Sequence, residues 1–318
     1  MVTMTFFNIL PGDGGMAYSD FLVNPRELHR HLQDPAWRMV DCRFELSAPG
    51  KGFEDYLDGH IPGAAYAHLD HDLAAPVTAE TGRHPLPEPE TFAGTLGRLG
   101  IEPRTHVAVY DQGGGAIAAR LWWMLRWMGH GSVRLLDGGF AAWKREGLPV
   151  ERGTPAIEPV VYAGRADEGM IVTTAEVANA LASGNPLPLI DARDAARFEG
   201  KQEPIDPVAG HIPGTRNVPF SQSLRPDGVW RSAADLREAW SGVLEEATVQ
   251  AQGGHRGALT AMCGSGVTAC HLIVSAGLAG LPLPRLYVGS WSEWIRDPAR
   301  PVETGPAPGD RAPAAGGR

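Results

Sequence analysis

Apolar residues along the chain fall into two kinds of segment that alternate over most of its length. Short apolar runs ending in Asp or Cys recur at Arg38–Asp41, His106–Asp111, Leu187–Asp191 and Ala258–Cys263, and their length is that of β-strands. Longer segments between them place apolar residues three and four apart. Ala116–Met128 carries Leu121, Trp122, Leu125 and Met128 on one helical stripe, and Gly129 follows as a residue suited to end a helix. Its tryptophans are read as core rather than as a ligand platform. Gly138-Gly139-Phe140 and Gly289-Ser290-Trp291 each follow a strand-like run and open another short helix. Strands alternating with helices predict α/β architecture with parallel sheets.

The pattern also repeats. Gly59-His60-Ile61-Pro62-Gly63 returns as Gly210-His211-Ile212-Pro213-Gly214, Val40-Asp41-Cys42-Arg43 as Ile190-Asp191-Ala192-Arg193, and Trp143 as Trp294, all in register. Three landmarks at one spacing indicate duplication. Two similar domains are therefore expected, over 16–150 and 170–304, joined by a linker over 151–169 that contains Pro and Gly. His60 and His211 occur in both copies, which favours a structural role in the turn. Residues 305–318 read as a disordered tail and the first fifteen as a frayed extension or an overcalled start.

A length of 318 residues suits two domains of ordinary size. The net charge of -9 comes with no basic run interleaved with aromatics, so nucleic acid is not an expected partner. No apolar stretch is long enough to span a membrane, and Thr5–Leu10 lacks the flanks of a signal peptide. Cys42, Cys263 and Cys270 are widely spaced, with no Cys-x-x-Cys and no zinc-like histidine pair. This usage predicts a reducing, cytoplasmic location without a metal or other cofactor; His68 with His71 is read as solvated surface.

The two copies differ where chemistry is expected. The strand ending at Tyr110-Asp111 corresponds to the one ending at Met262-Cys263, and each runs through a Gly-rich turn into a helix. In Cys263-Gly264-Ser265-Gly266-Val267-Thr268 the thiol should sit at the N-terminus of a helix over Val267–Leu278. Gly264 and Gly266 let the turn point backbone N–H groups inward as an anion-binding nest. That environment favours a nucleophilic thiolate and can hold a persulfide anion. Cys270 lies about two helical turns further on and is read as core.

The paired Gly-His-Ile-Pro-Gly motifs and Cys-Gly-Ser-Gly-Val-Thr-Ala at 263–269 resemble the tandem-domain rhodaneses, from about Ser19 to Thr304. The loop resembles the 3-mercaptopyruvate sulfurtransferase branch, since thiosulfate-preferring relatives carry basic residues where this chain has Gly264 and Ser265. The resemblance implies two rhodanese-like domains, the first catalytically silent with Asp111 at the cysteine position. It also implies sulfur transfer through a Cys263 persulfide, from 3-mercaptopyruvate or, alternatively, thiosulfate, to a thiol, cyanide or a thioredoxin-like reductant. Asp70, His84 and Ser265 match the family's serine-histidine-aspartate relay, contributed from both domains. Gly264, Gly266, Val267 and Thr268 match the sulfur-binding loop, and Arg197 matches a carboxylate-binding arginine, with an ion pair as its structural alternative. The branch's second arginine, after Glu-Pro, is missing: Glu203-Pro204 is followed by Ile205-Asp206, leaving Arg216 or Arg193 as substitutes. A cysteine phosphatase would need an arginine closing the loop, where this chain has Thr268 and Ala269. A non-catalytic binding module would have lost the thiol or its glycines.

Overall fold

The computed structural model describes residues 17–251 and 259–306. The expected N-terminal extension and the end of the tail lie outside the described residues. The first half contains β1 (Leu22–Val23), α1 (Pro25–His29), β2 (Trp37–Asp41), α2 (Lys51–Asp58), β3 (Ala65–Tyr66), α3 (Leu69–Asp72), α4 (Pro89–Arg98), β4 (His106–Tyr110), α5 (Ala118–Trp127), β5 (Val133–Leu136) and α6 (Gly139–Arg145). The second contains β6 (Ile171–Val172), α7 (Thr174–Ala182), β7 (Leu189–Asp191), α8 (Ala195–Phe198), β8 (Arg216–Asn217), α9 (Ala233–Ala251), β9 (Thr260–Met262), α10 (Thr268–Leu278), β10 (Arg285–Tyr287) and α11 (Ser290–Trp294). All pairings between these strands are parallel, in the orders β1-β5-β4-β2-β3 and β6-β10-β9-β7-β8. The shared order is the structural form of the sequence repeat.

The repeated motifs bind one another. In β2 the buried Asp41 carboxylate accepts from Arg43, whose Nη2 lies 2.6 Å from Oδ2 and also donates to the carbonyl of Gly59 at 2.7 Å. Arg193 repeats this with Asp191 and the carbonyl of Gly210, at 2.7 and 2.8 Å. The Asp-x-Arg of each strand end thus ties down the Gly-His-Ile-Pro-Gly turn of its own half. His60 and His211, both fully buried, lie with Nδ1 2.8 Å from the carbonyls of Tyr56 and Phe198 and stack on those rings. Their main chains pair with Glu151 and Glu303. These histidines are structural, as their duplication implied.

Each sheet is covered on both faces, so its strands alternate between two cores. In β4, Val107 and Val109 point into the large core between the halves, whereas Ala108 and Tyr110 join the outer core with Trp143. In β9 Ala261 faces the central core, Met262 the outer one, and Cys263 the centre again. Strand periodicity alone therefore aims the Cys263 sulfur between the two halves. There α5 packs against α10, with Trp122 and Trp123 fully buried as the helical stripe required. Segment 151–169 runs along the first half, where Val160 N–H donates to Gly97 and Asp167 N–H to Trp127.

Removing one member of a buried ion pair leaves the other charge uncompensated, a cost of about 3–5 kcal/mol. Arg43→Met should destabilise the protein by that order, through the stranded Asp41 and the released Gly59 turn, read as a lower urea midpoint. A loss below about 1 kcal/mol would show that the pair contributes no more than an exposed one.

Candidate functional site

Cys263 leaves β9 as an almost fully buried residue, and its backbone is held on both sides. Its N–H donates to Ser290 Oγ at 3.1 Å, while its carbonyl and that of Gly264 accept from the N–H groups of Trp291 and Ser292 at the start of α11. Ser290 has φ +50°, the one non-glycine residue with positive φ among the described residues, at the place occupied by Gly139 (φ +58°) in the first half. Its hydroxyl offsets that strain by also donating to the carbonyl of Tyr287. Nothing in the residues around Ser290 marks it for this role.

The turn then curls back over the sulfur, with Ser265 N–H donating to Cys263 Sγ at 3.5 Å. Gly266 has φ +78°, and a Cβ there would lie 2.7 Å from the carbonyl oxygen of Val288, so no other residue fits. The first half shows what such a turn binds. Asp111 Oδ1 accepts from Gly113 and Gly115 N–H at 2.9 and 3.1 Å, and Oδ2 from Ile117 and Ala118 N–H at 2.8 and 3.2 Å. A carboxylate fills that nest. In the second half a cavity of about 140 Å³ opens over the turn, lined among others by Cys263, Gly264, Ser265, Val267 and Thr268.

The opposite wall comes from the first half. His84 Nδ1 lies 2.7 Å from Ser265 Oγ, and its Nε2 lies 3.1 Å from Asp70 Oδ1. The three relay residues predicted from sequence thus form one chain across the two halves. Burial, reinforced by the Arg120 charge, pushes the His84 imidazole down to about 4 against the opposing pull of Asp70. The ring is neutral at pH 7. With Asp70 accepting from Nε2–H, Nδ1 accepts the Ser265 hydroxyl proton and polarises its oxygen. His68 Nδ1 caps α3 by accepting Asp70 N–H, and its Nε2 lies 3.2 Å from the carbonyl of Pro49.

Nothing local marks Arg120, because it falls off the apolar stripe of Leu121, Trp122, Leu125 and Met128. It is fully buried and donates to the carbonyls of Leu73, His84 and Gly266, at 3.4, 3.0 and 3.3 Å. One guanidinium thereby ties the His84 loop to the Cys263 turn. The other thiols are disfavoured as nucleophiles. Burial and the neighbouring carboxylates push Cys42 far up, and burial pushes Cys270 up to about 12 while its Sγ donates to the carbonyl of Gly266. Cys270 is core, as expected.

Arg197 lines the cavity and is also ion-paired: Nε lies 3.0 and 3.1 Å from the two Glu203 oxygens, and Nη2 lies 3.0 Å from Asp206. The ion pair given as its structural alternative is present, and the same side chain faces the cavity. Arg193 does not replace the missing second arginine, because it is consumed by Asp191 and Gly210 and lies under Trp291 at 4.6 Å. Arg216, on β8, is outside the cavity lining. Although the turn has no basic residue of its own, two arginines from outside it line the same cavity. A Cβ on Gly264 would meet Arg83 Nη2 at 2.8 Å and Arg197 Nη1 and Nη2 at 3.6 Å.

Rhodanese-like domain sequences match residues 24–146 and again 173–297. The chain belongs to the rhodanese-like family. A probable 3-mercaptopyruvate sulfurtransferase of Pseudomonas aeruginosa is 46% identical over 89% of this rhodanese and 98% of its own length. The thiosulfate sulfurtransferase of Bos taurus is 34% identical over 82% and 86%. The 3-mercaptopyruvate sulfurtransferase of Leishmania major superposes with a TM-score of 0.74 at 32% identity, covering 86% of this rhodanese and 74% of that chain. The two α/β domains expected from the repeat, and the rhodanese fold implied by the resemblance, are the observed ones.

Two buried histidines give this rhodanese a pH-dependent stability. His84 is pushed down to about 4 and the fully buried His271, whose Nε2 meets the carbonyl of Gly114 at 3.0 Å, to about 3, both chiefly by burial. A depressed folded-state pKa means stability that is present above the unfolded value of roughly 6.5 and is lost as pH falls toward the folded value. By pH 5 each should have removed about 2 kcal/mol. Urea unfolding of His271→Gln at pH 7.5 and 5.0 should show a pH-dependent loss about 2 kcal/mol smaller than that of the parent; an equal loss would mean that His271 is protonated in the folded state.

Proposed function

We propose that this rhodanese is a sulfurtransferase that takes sulfane sulfur from 3-mercaptopyruvate onto Cys263 and passes it to a thiol or cyanide. The observation that carries this reading is the Ser265-His84-Asp70 chain ending beside a cysteine in a backbone nest. The Cys263 thiolate attacks the donor's sulfur and the carbon–sulfur bond breaks, leaving a Cys263 persulfide and the enolate of pyruvate. The proton released by the donor's thiol ends on the enolate carbon. Ser265, polarised by neutral His84, stands where it can donate to the developing enolate oxygen and relay that proton. Gly264, Gly266, Val267 and Thr268 enclose the outer sulfur, and Arg197 binds the carboxylate. An acceptor thiol or cyanide then attacks the outer sulfur and restores Cys263.

Similarity to 3-mercaptopyruvate sulfurtransferases supports this donor. Thiosulfate is the second reading, favoured by the arginines flanking Gly264 and by the bovine relative. Three unpaired cysteines accord with a cytoplasmic location and a thioredoxin-like reductant as acceptor. No described helix is long and apolar enough to cross a membrane. The phosphatase and binding-module alternatives have no comparable support: the turn lacks a closing arginine and keeps its thiol.

Incubation with 3-mercaptopyruvate without acceptor should add one sulfur atom to the intact protein, removable by cyanide, as mass spectrometry reads. Cys263→Ser should neither gain mass nor transfer sulfur, whereas Cys42→Ser and Cys270→Ser retain activity; sulfur transfer by Cys263→Ser would sink the persulfide route. Arg197→Ala should lower kcat/KM for 3-mercaptopyruvate by about 1.5–3 kcal/mol, one charge-assisted contact. A kcat/KM higher for thiosulfate than for 3-mercaptopyruvate would overturn the donor assignment and leave the persulfide standing.

A further inference from the structure

The segment before His84 crosses from the first half onto α11 of the second and is fixed there. Gly82 N–H donates to Glu293 at 3.2 Å, Arg83 N–H to Ser292 Oγ at 3.0 Å, and Arg296 Nε to the carbonyl of Thr81 at 3.1 Å. The approach is tight enough that a Cβ on Gly82 would lie 2.7 Å from the carbonyl oxygen of Gly289. Its side chain thus starts from a rigid point, and Arg83 reaches over the turn to pair with Asp206. Asp206 also pairs with Arg197 at 3.0 Å, and Glu203 holds Arg197 from the other side. The buried Asp206 carboxylate therefore spaces two guanidiniums, one from each half.

Both guanidiniums converge on one spot. Arg83 Nη2 lies 2.8 Å, and the Arg197 terminal nitrogens 3.6 Å, from the position a Cβ would take on Gly264, next to Cys263, and both residues line its cavity. Arg83 Nε is buried without a hydrogen-bond partner, so its pairing with Asp206 leaves donor capacity unused. We infer that Arg83 is the second arginine of the donor-binding clamp, supplied from the first half and positioned by Asp206, so that Arg83 and Arg197 together grip the carboxylate of the mercapto-acid.

This inference rests on the mercapto-acid reading of the same site, and a carboxylate-free donor separates the two. Mercaptoacetone carries the same ketone and thiol with a methyl group in place of the carboxylate. Arg83→Met should lower kcat/KM for 3-mercaptopyruvate by roughly tenfold to a hundredfold, the range for one charge-assisted contact, with mercaptoacetone changed less than about twofold. Product inhibition by pyruvate should weaken in parallel, which reports carboxylate binding without turnover. Arg83→Gln retains a hydrogen bond to Asp206 and should show the same selective loss even if Arg83→Met folds poorly. Equal losses with both donors, or no change in pyruvate inhibition, would overturn the clamp and make Arg83 an interdomain strut. A parent enzyme inert toward 3-mercaptopyruvate would instead overturn the donor reading, and the clamp with it.

Discussion

The site depends on one constraint: a tight turn from strand to helix leaves several backbone N–H groups pointing inward with no helical carbonyl to meet them. Such groups need a partner, and a negatively charged one suits them best. In the first half the chain supplies its own, and both oxygens of Asp111 are spent on four N–H groups. In the second half the same turn faces a cysteine. A cysteine side chain is too short to fill the nest as a carboxylate does, and in the persulfide route proposed above the remaining volume takes the outer sulfur. Duplication has thus given one turn whose N–H groups are satisfied internally and one that is left open. The aspartate-filled copy is internal evidence that such a turn attracts an anion.

The open turn does not work alone, because its facing wall belongs to the other half. Packing α5 against α10 brings the halves together, and Arg120 converts that packing into registration. Burying a guanidinium without a carboxylate is costly. Three carbonyl acceptors from the Leu73, His84 and Gly266 loops offset the cost only when those loops sit correctly. The same charge discourages protonation of His84, which leaves the ring able to accept from Ser265. One buried side chain thus fixes interdomain geometry and adds to the burial that keeps the His84 ring neutral.

What the sequence disclosed follows the distinction between local and long-range information. The parallel sheets, the duplication and the Cys263 turn were legible because each is written in contiguous residues: period-two runs, repeated pentapeptides and a Gly-rich strand exit. The structural role of His60 and His211 was legible from their duplication. Asp70 and His84 were found only through family resemblance, since nothing local distinguishes His84 from a loop histidine. Arg120, Ser290 and Arg83 were missed. Arg120 looks like the polar edge of a helix until α10 is packed over it, and the importance of Ser290 lies in its backbone angle. Arg83 acts across a boundary that no local pattern crosses.

The electrostatics of donor choice show the same limit. Judged by its own residues, the turn at Cys263 offers dipoles and no cation, which argues against a dianion such as thiosulfate. Folding brings Arg83 and Arg197 beside Gly264, and that argument no longer stands as it was made. Charge balance restores the preference by another route. Glu203 and Asp206 already neutralise these two arginines in sum, and burial pushes Asp206 up despite Arg83, the mark of a carboxylate taken out of water. The clamp therefore presents directed N–H groups more than free charge. Directed forks reward the planar geometry of one carboxylate, whereas a compact dianion gains most from the net charge that Asp206 and Glu203 have cancelled. Any side chain at position 264 would meet both guanidiniums at contact distance, so the bare glycine is what lets these directed N–H groups approach the turn from its flanks.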